Sequence, residues 1–252
     1  MNERTKRFEL KKSHKILLAI MAVIAAIGIG FGVYAFDYYH ADVEALDIVR
    51  GISDTYTVEE KGNYYIFTSS YSANVGLVFY PGGKVQCEAY APLLARLAEK
   101  GITCILLKMP LNLAILDVDA AEGVKSAAPD IEHWYIAGHS LGGSTAAKYL
   151  KRSKDAYEGI IFLASYTIDD LSDTDIKALI IYGSSDKVMN MERFRECQKN
   201  LPKNTTQMLI SGGCHSYFGS YGLQKGDGKP SIKREEQYEK TVNAIIDFVS
   251  AQ

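Results

Sequence analysis

The chain has 252 residues, a formal net charge of −2 at pH 7 and four cysteines. This near-neutral charge argues against the strongly basic surface that nucleic-acid binding requires, so we predict no nucleic-acid partner. The residues that follow position 36 suffice for one well-buried core, which favours a single folded domain behind the N-terminal segment.

The first feature along the chain is an uncharged, apolar segment over residues 16–36. As a helix rising about 1.5 Å per residue it would be about 30 Å long, which matches the hydrocarbon core of a bilayer. Basic residues outnumber acidic ones before it: Arg4, Lys6, Arg7, Lys11, Lys12 and Lys15 against Glu3 and Glu9. Because basic flanks stay on the cytoplasmic side, the sequence predicts a cytoplasmic segment over 1–15 and a transmembrane signal-anchor over 16–36 in the cell membrane.

The alternative to an anchor is a signal peptide cleaved near Ala35, since Val33-Tyr34-Ala35 is an acceptable small-residue cleavage site. The apolar run is longer than the usual apolar part of a signal peptide, and this favours a retained anchor. Both alternatives place the rest of the chain outside the cytoplasm. We predict a juxtamembrane segment over 37–52 and the folded domain over 53–252.

Short apolar runs alternate with helix-compatible stretches from residue 55 onward. The runs at 55–58 and 64–67 predict a β-hairpin. Further strands are predicted at 75–80, 103–108, 134–138, 159–164, 178–182 and 206–210, and helices at 88–99, 113–126, 141–151, 191–200 and 234–249. This alternation predicts an α/β fold with a mostly parallel sheet and helices on both faces. The short stretch from 165 to 177 leaves no room for a large cap, so we expect an open, shallow site.

Residues 138–142 have the sequence Gly-His-Ser-Leu-Gly, which is the pattern G-x-S-x-G. A predicted strand precedes the motif and a predicted helix follows it. This context is typical of a nucleophile elbow, in which a serine hydroxyl lies on a sharp turn at the positive end of a helix. The glycines are needed because a Cβ would collide where the strand and the helix cross. We therefore predict that Ser140 is a nucleophile.

A serine nucleophile needs a general base and a carboxylate that orients the base, in the chain order Ser, Asp or Glu, His. His215 is the candidate base, because no other histidine lies well beyond Ser140. Asp186 is the candidate acid, because it follows an apolar strand and a turn of small residues. The alternative acids belong to a polar stretch typical of solvated loop charges: Asp169, Asp170, Asp173 and Asp175.

Acyl transfer also requires two backbone N–H groups that stabilise the oxyanion of the tetrahedral intermediate. One is expected from Leu141, the residue after the nucleophile. The other is expected from the loop after an early strand, here Pro81-Gly82-Gly83-Lys84. Gly82 and Gly83 are both candidates, and the sequence alone does not choose between them.

Taken together, these motifs resemble the α/β-hydrolase superfamily, and within it the compact serine hydrolases related to dienelactone hydrolase and carboxylesterases. The resemblance covers residues 75–250. Besides the elbow it rests on the segments 80–85, 108–114, 182–186 and 212–222. It implies a triad of Ser140, His215 and Asp186 and an acyl-enzyme mechanism. The chain departs from the lipase pattern in the early loop, where Tyr80-Pro81 replaces the common His-Gly.

The sequence therefore predicts a membrane-anchored, extracytoplasmic carboxylesterase that acts on small or exposed esters. An amidase, peptidase or acyltransferase acting on cell-envelope material would use the same triad, and a non-catalytic binding module on this scaffold is a third alternative. The expected partners are a small ester or envelope-derived substrate and the membrane, through residues 16–36. We predict no cofactor and no metal, because the chain has no C-x-x-C motif and no cluster of histidines and cysteines.

The four cysteines are Cys87, Cys104, Cys197 and Cys214. In an oxidising compartment they could form disulfides, and the sequence does not specify a pairing. Cys104 lies in an apolar strand and is predicted to be a buried thiol.

Overall fold

The computed structural model describes residues 12–51, 53–71, 74–153 and 156–251. It divides into two compact units, of which one ends at Asp37 and the other begins at Tyr38. The first unit contains helix α1 (Lys12–Phe36), which has 25 residues, none of them buried. This helix is long and apolar enough to cross a membrane, a property that signal sequences share. Most of the basic segment predicted over 1–15 lies outside the described residues.

The second unit is built on one eight-stranded sheet. Its strands are β1 (Tyr56–Lys61), β2 (Tyr64–Ser69), β3 (Val75–Tyr80), β4 (Ile102–Leu107), β5 (His133–His139), β6 (Gly159–Leu163), β7 (Lys177–Gly183) and β8 (Asn204–Ile210). They lie in the order β1-β2-β4-β3-β5-β6-β7-β8. The β1–β2 hairpin and the β2–β4 pair are antiparallel, and all other neighbouring pairs are parallel. The prediction of a mostly parallel sheet is confirmed.

Helices cover both faces of this sheet, as predicted. They are α2 (Val43–Arg50), α3 (Ala91–Ala98), α4 (Leu141–Arg152), α5 (Met191–Glu196) and α6 (Arg234–Ser250). Buried side chains of α2, α3 and α6 belong to the core on one face, and those of α4 and α5 to the core on the other. Strands β3 and β4 are therefore buried at every position, as is typical of parallel strands between two helical layers.

The helix predicted over 113–126 is wrong. The chain forms two short 3-10 turns there, Ala114–Leu116 and Val124–Ala127, with irregular backbone between them. Gly123 has a φ of 71°, a left-handed conformation that interrupts a helix. Ala120 and Ala121 are buried in the core, so tertiary packing outweighs the helical preference of the local sequence.

The segment predicted to be juxtamembrane belongs structurally to the second unit from Tyr38 onward. Tyr39 bridges to the loop after β3. Ala45, in α2, is fully buried. The carboxylate of Asp42 accepts a hydrogen bond from Arg234 Nη1 at 2.7 Å. These contacts connect residues 38–51 to the rest of the fold.

The connections that flank the elbow contain no α-helical cap. Residues 108–132 after β4 and residues 164–176 after β6 are described throughout, and both consist of turns, short 3-10 segments and irregular backbone. The expectation that the fold has no large cap is confirmed.

All four cysteines are free and buried. Cys104 lies in β4 with no exposed surface, and burial raises the pKa of its thiol well above the usual range. Burial, together with the nearby Asp227 carboxylate, raises the pKa of Cys214 to about 12. Both groups are therefore protonated at neutral pH and have little reactivity as nucleophiles.

Candidate active site

The serine of the G-x-S-x-G motif lies on the sharp turn between β5 and α4. Its φ of 51° and ψ of −122° are unusual for a residue with a side chain. The Ser140 N–H donates to the Leu163 carbonyl at 2.9 Å. The Ser140 carbonyl accepts from the Gly143 N–H at 3.1 Å and from Ser165 Oγ at 2.6 Å. These bonds hold the strained backbone in place at the N-terminus of α4.

The glycines on either side of Ser140 permit a close crossing of backbones. A Cβ on Gly138 would lie 2.5 Å from the carbonyl carbon of Gly142. A Cβ on Gly142 would lie 2.2 Å from the Tyr80 carbonyl oxygen and 2.3 Å from that of Pro81. All of these atoms belong to the main chain, so no side-chain rotation relieves the overlap. The elbow therefore requires glycine at both positions.

The candidate base and acid form a buried pair. His215 Nδ1 lies 2.8 Å from Asp186 Oδ2, and each side chain is only 1% exposed. The other carboxylate oxygen accepts the N–H groups of Val188 and Met189, both at 2.8 Å. These two bonds fix the carboxylate, which in turn fixes the imidazole with its Nδ1 proton directed at the acid.

The second ring nitrogen of the candidate base is buried without a partner. His215 Nε2 has no hydrogen bond within the described part of the chain. When Nδ1 carries the proton, Nε2 of a neutral imidazole has a free lone pair. A buried acceptor is usually satisfied, and unsatisfied ones often mark functional groups. The nitrogen is thus able to accept a proton from a nucleophile.

The structure brings this pair to the elbow. The ring centroid of His139, the residue before Ser140, lies 4.6 Å from that of His215. Ser140 directly follows β5 and Asp186 lies three residues after β7, and the carboxyl ends of these parallel strands lie at one edge of the sheet. In contrast, the carboxylate of Asp170 accepts hydrogen bonds from Ser172 in an exposed loop. Asp186, and not Asp170, is therefore the aspartate whose carboxylate contacts the imidazole of His215.

The geometry distinguishes the two candidate glycines of the oxyanion loop. The Gly82 N–H donates to Tyr90 Oη at 3.0 Å, so this donor is occupied within the protein. Gly83 faces the elbow, because a Cβ there would lie 2.9 Å from Leu141 Cδ2. Leu141 is the first residue of α4, and its N–H has no acceptor inside the helix. The arrangement favours Leu141 and Gly83 as the pair of donors.

A second carboxylate, which is not among the residues predicted from the sequence, supports the loop that contains His215. Asp227 accepts the main-chain N–H groups of His215 at 3.3 Å and Ser216 at 2.8 Å, and the Ser216 hydroxyl at 2.6 Å. Burial opposes ionisation of Asp227, but these hydrogen bonds and one from Gly228 lower its pKa. The sequence signal was an aspartate between two glycines shortly after the candidate base.

Replacing Asp227 by asparagine is expected to lower the free energy of unfolding by about 1–3 kcal/mol at pH 7, because hydrogen bonds to a charged group are lost. The pKa of Asp227 is lowered in the folded state, so its contribution is present above the pKa of the unfolded chain. It disappears as the pH falls through the lower folded value. Thermal unfolding of both proteins from pH 7 to pH 3 should show the difference shrinking with acid.

The matched control is Asp170→Asn. Like Asp227, Asp170 accepts hydrogen bonds from the main-chain N–H and the hydroxyl of one serine, here Ser172 in an exposed loop. We expect a much smaller change in its thermal midpoint at every pH. Equal losses in both variants would contradict a special role for Asp227.

A mostly parallel sheet with a strained serine at a strand-to-helix turn, and a buried His–Asp pair at the same edge, defines a hydrolase of the α/β class. The model of the alpha/beta hydrolase family matches residues 76–239, and the chain belongs to this family.

Solved structures show the same fold. An esterase from the archaeon Pyrobaculum calidifontis is 13% identical and has a TM-score of 0.59, with 83% of this chain and 90% of that chain covered. A serine hydrolase without a lid from Xanthomonas campestris is 15% identical, with a TM-score of 0.54 and coverage of 80% and 98%. Est1E from Butyrivibrio proteoclasticus is 15% identical, with a TM-score of 0.54 and coverage of 79% and 100%. A search of curated proteins found no significant match.

Proposed function

We propose that this α/β hydrolase is a serine carboxylesterase, anchored in the cell membrane and active outside the cytoplasm. The observation that carries the proposal is the buried His215–Asp186 pair with its free Nε2. Its imidazole lies 4.6 Å, centroid to centroid, from the ring of His139, the residue before the strained Ser140. A non-catalytic binding module would have no use for backbone strain at Ser140 or for an unpaired buried nitrogen, both of which reduce stability.

The mechanism follows from the roles of these groups. His215 Nε2 takes the proton of Ser140 Oγ as that oxygen attacks the ester carbonyl. The N–H groups of Leu141 and Gly83 stabilise the oxyanion. The C–O bond then breaks, and His215 gives the proton to the leaving alcohol. Water, deprotonated by the same nitrogen, attacks the acyl-enzyme. The bond to Ser140 Oγ breaks, His215 returns the proton to that oxygen and the acid is released, while Asp186 holds the imidazole in one orientation.

The surroundings of the elbow favour an ester with an apolar part. The connection after β4 exposes Leu111, Ile115 and Leu116, and the connection after β6 exposes Ile168. The connection after β4 is hydrogen-bonded to the oxyanion loop, since the Lys84 N–H donates to the Asn112 carbonyl at 2.7 Å. With no cap over this edge, the site suits small acyl groups or esters exposed on larger molecules. The structural neighbours include the esterase from Pyrobaculum calidifontis and Est1E from Butyrivibrio proteoclasticus.

The test uses the full-length chain in detergent with p-nitrophenyl esters from acetate to palmitate and with a fluorophosphonate probe. We expect hydrolysis with an optimum at short or medium chains, and covalent labelling at Ser140. Labelling without ester hydrolysis would refute the carboxylesterase and favour the amidase, peptidase or acyltransferase. A folded protein that neither hydrolyses esters nor reacts with the probe would favour the binding module.

The membrane part of the proposal rests on α1, whose residues are all unburied and whose length suits a bilayer. The basic residues before it predict a cytoplasmic N-terminus. Protease added to intact cells should degrade the hydrolase while leaving a cytoplasmic control protein whole, and the mature chain in membranes should keep its own N-terminus. A soluble product that begins near residue 36 would instead identify a cleaved signal peptide.

A further inference from the structure

A chain of buried hydrogen bonds connects the oxyanion loop to the loop of the base. The Gly82 N–H lies 3.0 Å from Tyr90 Oη, and this hydroxyl lies 2.8 Å from His139 Nδ1. His139 Nε2 lies 3.1 Å from the carbonyl oxygen of His215. The side chains of Tyr90 and His139 are buried almost completely. The proposed mechanism assigns neither of them a role.

The direction of each hydrogen bond can be assigned. Burial, and secondarily the neighbouring His215, lower the pKa of His139 well below its usual value, so its ring is neutral and has one N–H. A carbonyl oxygen only accepts, so that N–H is on Nε2 and donates to His215. Nδ1 then accepts the hydroxyl proton of Tyr90. The oxygen of this hydroxyl in turn accepts the Gly82 N–H, so every donor has one acceptor.

We propose that Tyr90 and His139 are positioning residues. They hold the oxyanion loop in a fixed position relative to the loop that contains His215, the base loop. Neither side chain touches substrate in this proposal. They act through Gly82, the neighbour of the donor Gly83, and through the main chain of His215. Their catalytic effect rests on the proposed function, whereas the physical coupling of the two loops does not.

Further contacts show that the residues of this hydrogen-bond chain are tightly packed. A Cβ on Gly82 would lie 2.7 Å from both His139 Nδ1 and Tyr90 Oη, so only glycine allows the loop to approach them. The ring of Phe218 lies 5.8 Å from that of His139, and the ring of Phe79 lies 4.9 Å from that of Tyr90. In such apolar surroundings no water replaces a lost partner, so breaking one bond should loosen both loops.

The test compares Tyr90→Phe with Tyr135→Phe in the full-length protein. Both tyrosines are buried and each hydroxyl has two partners, but the partners of Tyr135 are the Glu158 carboxylate and the Val249 carbonyl, which belong to neither loop. We expect Tyr90→Phe to lower kcat and the rate of fluorophosphonate labelling roughly tenfold to a hundredfold, less than loss of an oxyanion donor itself. KM should change little. Tyr135→Phe should keep both rates within about threefold, although its thermal midpoint falls by a similar amount.

Hydrogen exchange gives a readout that does not depend on activity. In Tyr90→Phe, amides of residues 82–85 and 213–216 should exchange faster together, and Tyr135→Phe should leave both segments protected. Gly82→Ala breaks the same chain at its other end and should have the same signature. Unchanged rates in Tyr90→Phe, or acceleration in only one segment, would overturn the proposal. If the wild type hydrolyses no ester and takes no label, the proposed function fails, and the exchange data still decide whether the loops are coupled.

Discussion

Replacing Ser140 by alanine is expected to lower kcat for ester hydrolysis by about four to six orders of magnitude. The reason is that the variant removes the only atom that forms the acyl-enzyme, while the oxyanion donors and the substrate contacts stay in place. The residual rate should therefore still exceed that of the uncatalysed reaction. Initial rates with the preferred p-nitrophenyl ester and labelling by the fluorophosphonate measure this effect.

The control for this variant is Ser144→Ala, in the next turn of the same helix. Ser144 Oγ donates to the Tyr166 carbonyl at 2.6 Å, so its loss costs a structural hydrogen bond. We expect a modest fall in its thermal midpoint and nearly full activity. A Ser140→Ala protein that keeps more than about a hundredth of the wild-type rate would show that another residue is the nucleophile.

Replacing Gly142 by alanine is expected to prevent stable folding, with a loss of more than about 4 kcal/mol in the free energy of unfolding. The added Cβ would lie 2.2 Å from the carbonyl oxygen of Tyr80 and 2.3 Å from that of Pro81. Relief requires that α4 move away from β3, which would disturb the core on that face of the sheet. Circular dichroism, thermal unfolding and the yield of soluble protein measure the effect.

Lys148→Ala is the comparison, because Lys148 is exposed on the same helix and alanine is a strong helix former. This variant should fold as the wild type does. A Gly142→Ala protein with a thermal midpoint within a few degrees of the wild type would mean that the elbow is less tightly packed than the distances indicate.

The sheet and the elbow could be predicted because their signals are local. Each strand from β3 onward is a short apolar run, and the serine lies between a strand and a helix in the sequence itself. Residues 113–126 are the exception, because local composition predicts a helix that the chain does not form. Their composition suits a helix, but the fold is stabilised more by burying Ala120 and Ala121 in short turns than by completing helical hydrogen bonds.

The candidate site divides in the same way. The chain order of Ser140, Asp186 and His215 was sufficient to select the buried pair, because few histidines compete for the role. Asp227 could not be predicted, since its part depends on hydrogen bonds to a loop 11 residues or more away. The choice between Gly82 and Gly83 depends on a contact with Tyr90, which only the folded chain brings near.

The backbone of Ser140 has a further consequence for how this protein evolves. A left-handed conformation at a residue with a side chain costs about 1–3 kcal/mol, a large share of the margin by which a domain of this size stays folded. The buried Nε2 of His215 adds a second cost. Mutations that relax either feature are therefore expected to raise thermostability at the expense of turnover. Selection for heat resistance and selection for catalysis therefore oppose each other at these two residues, and compensating gains have to come from elsewhere in the core.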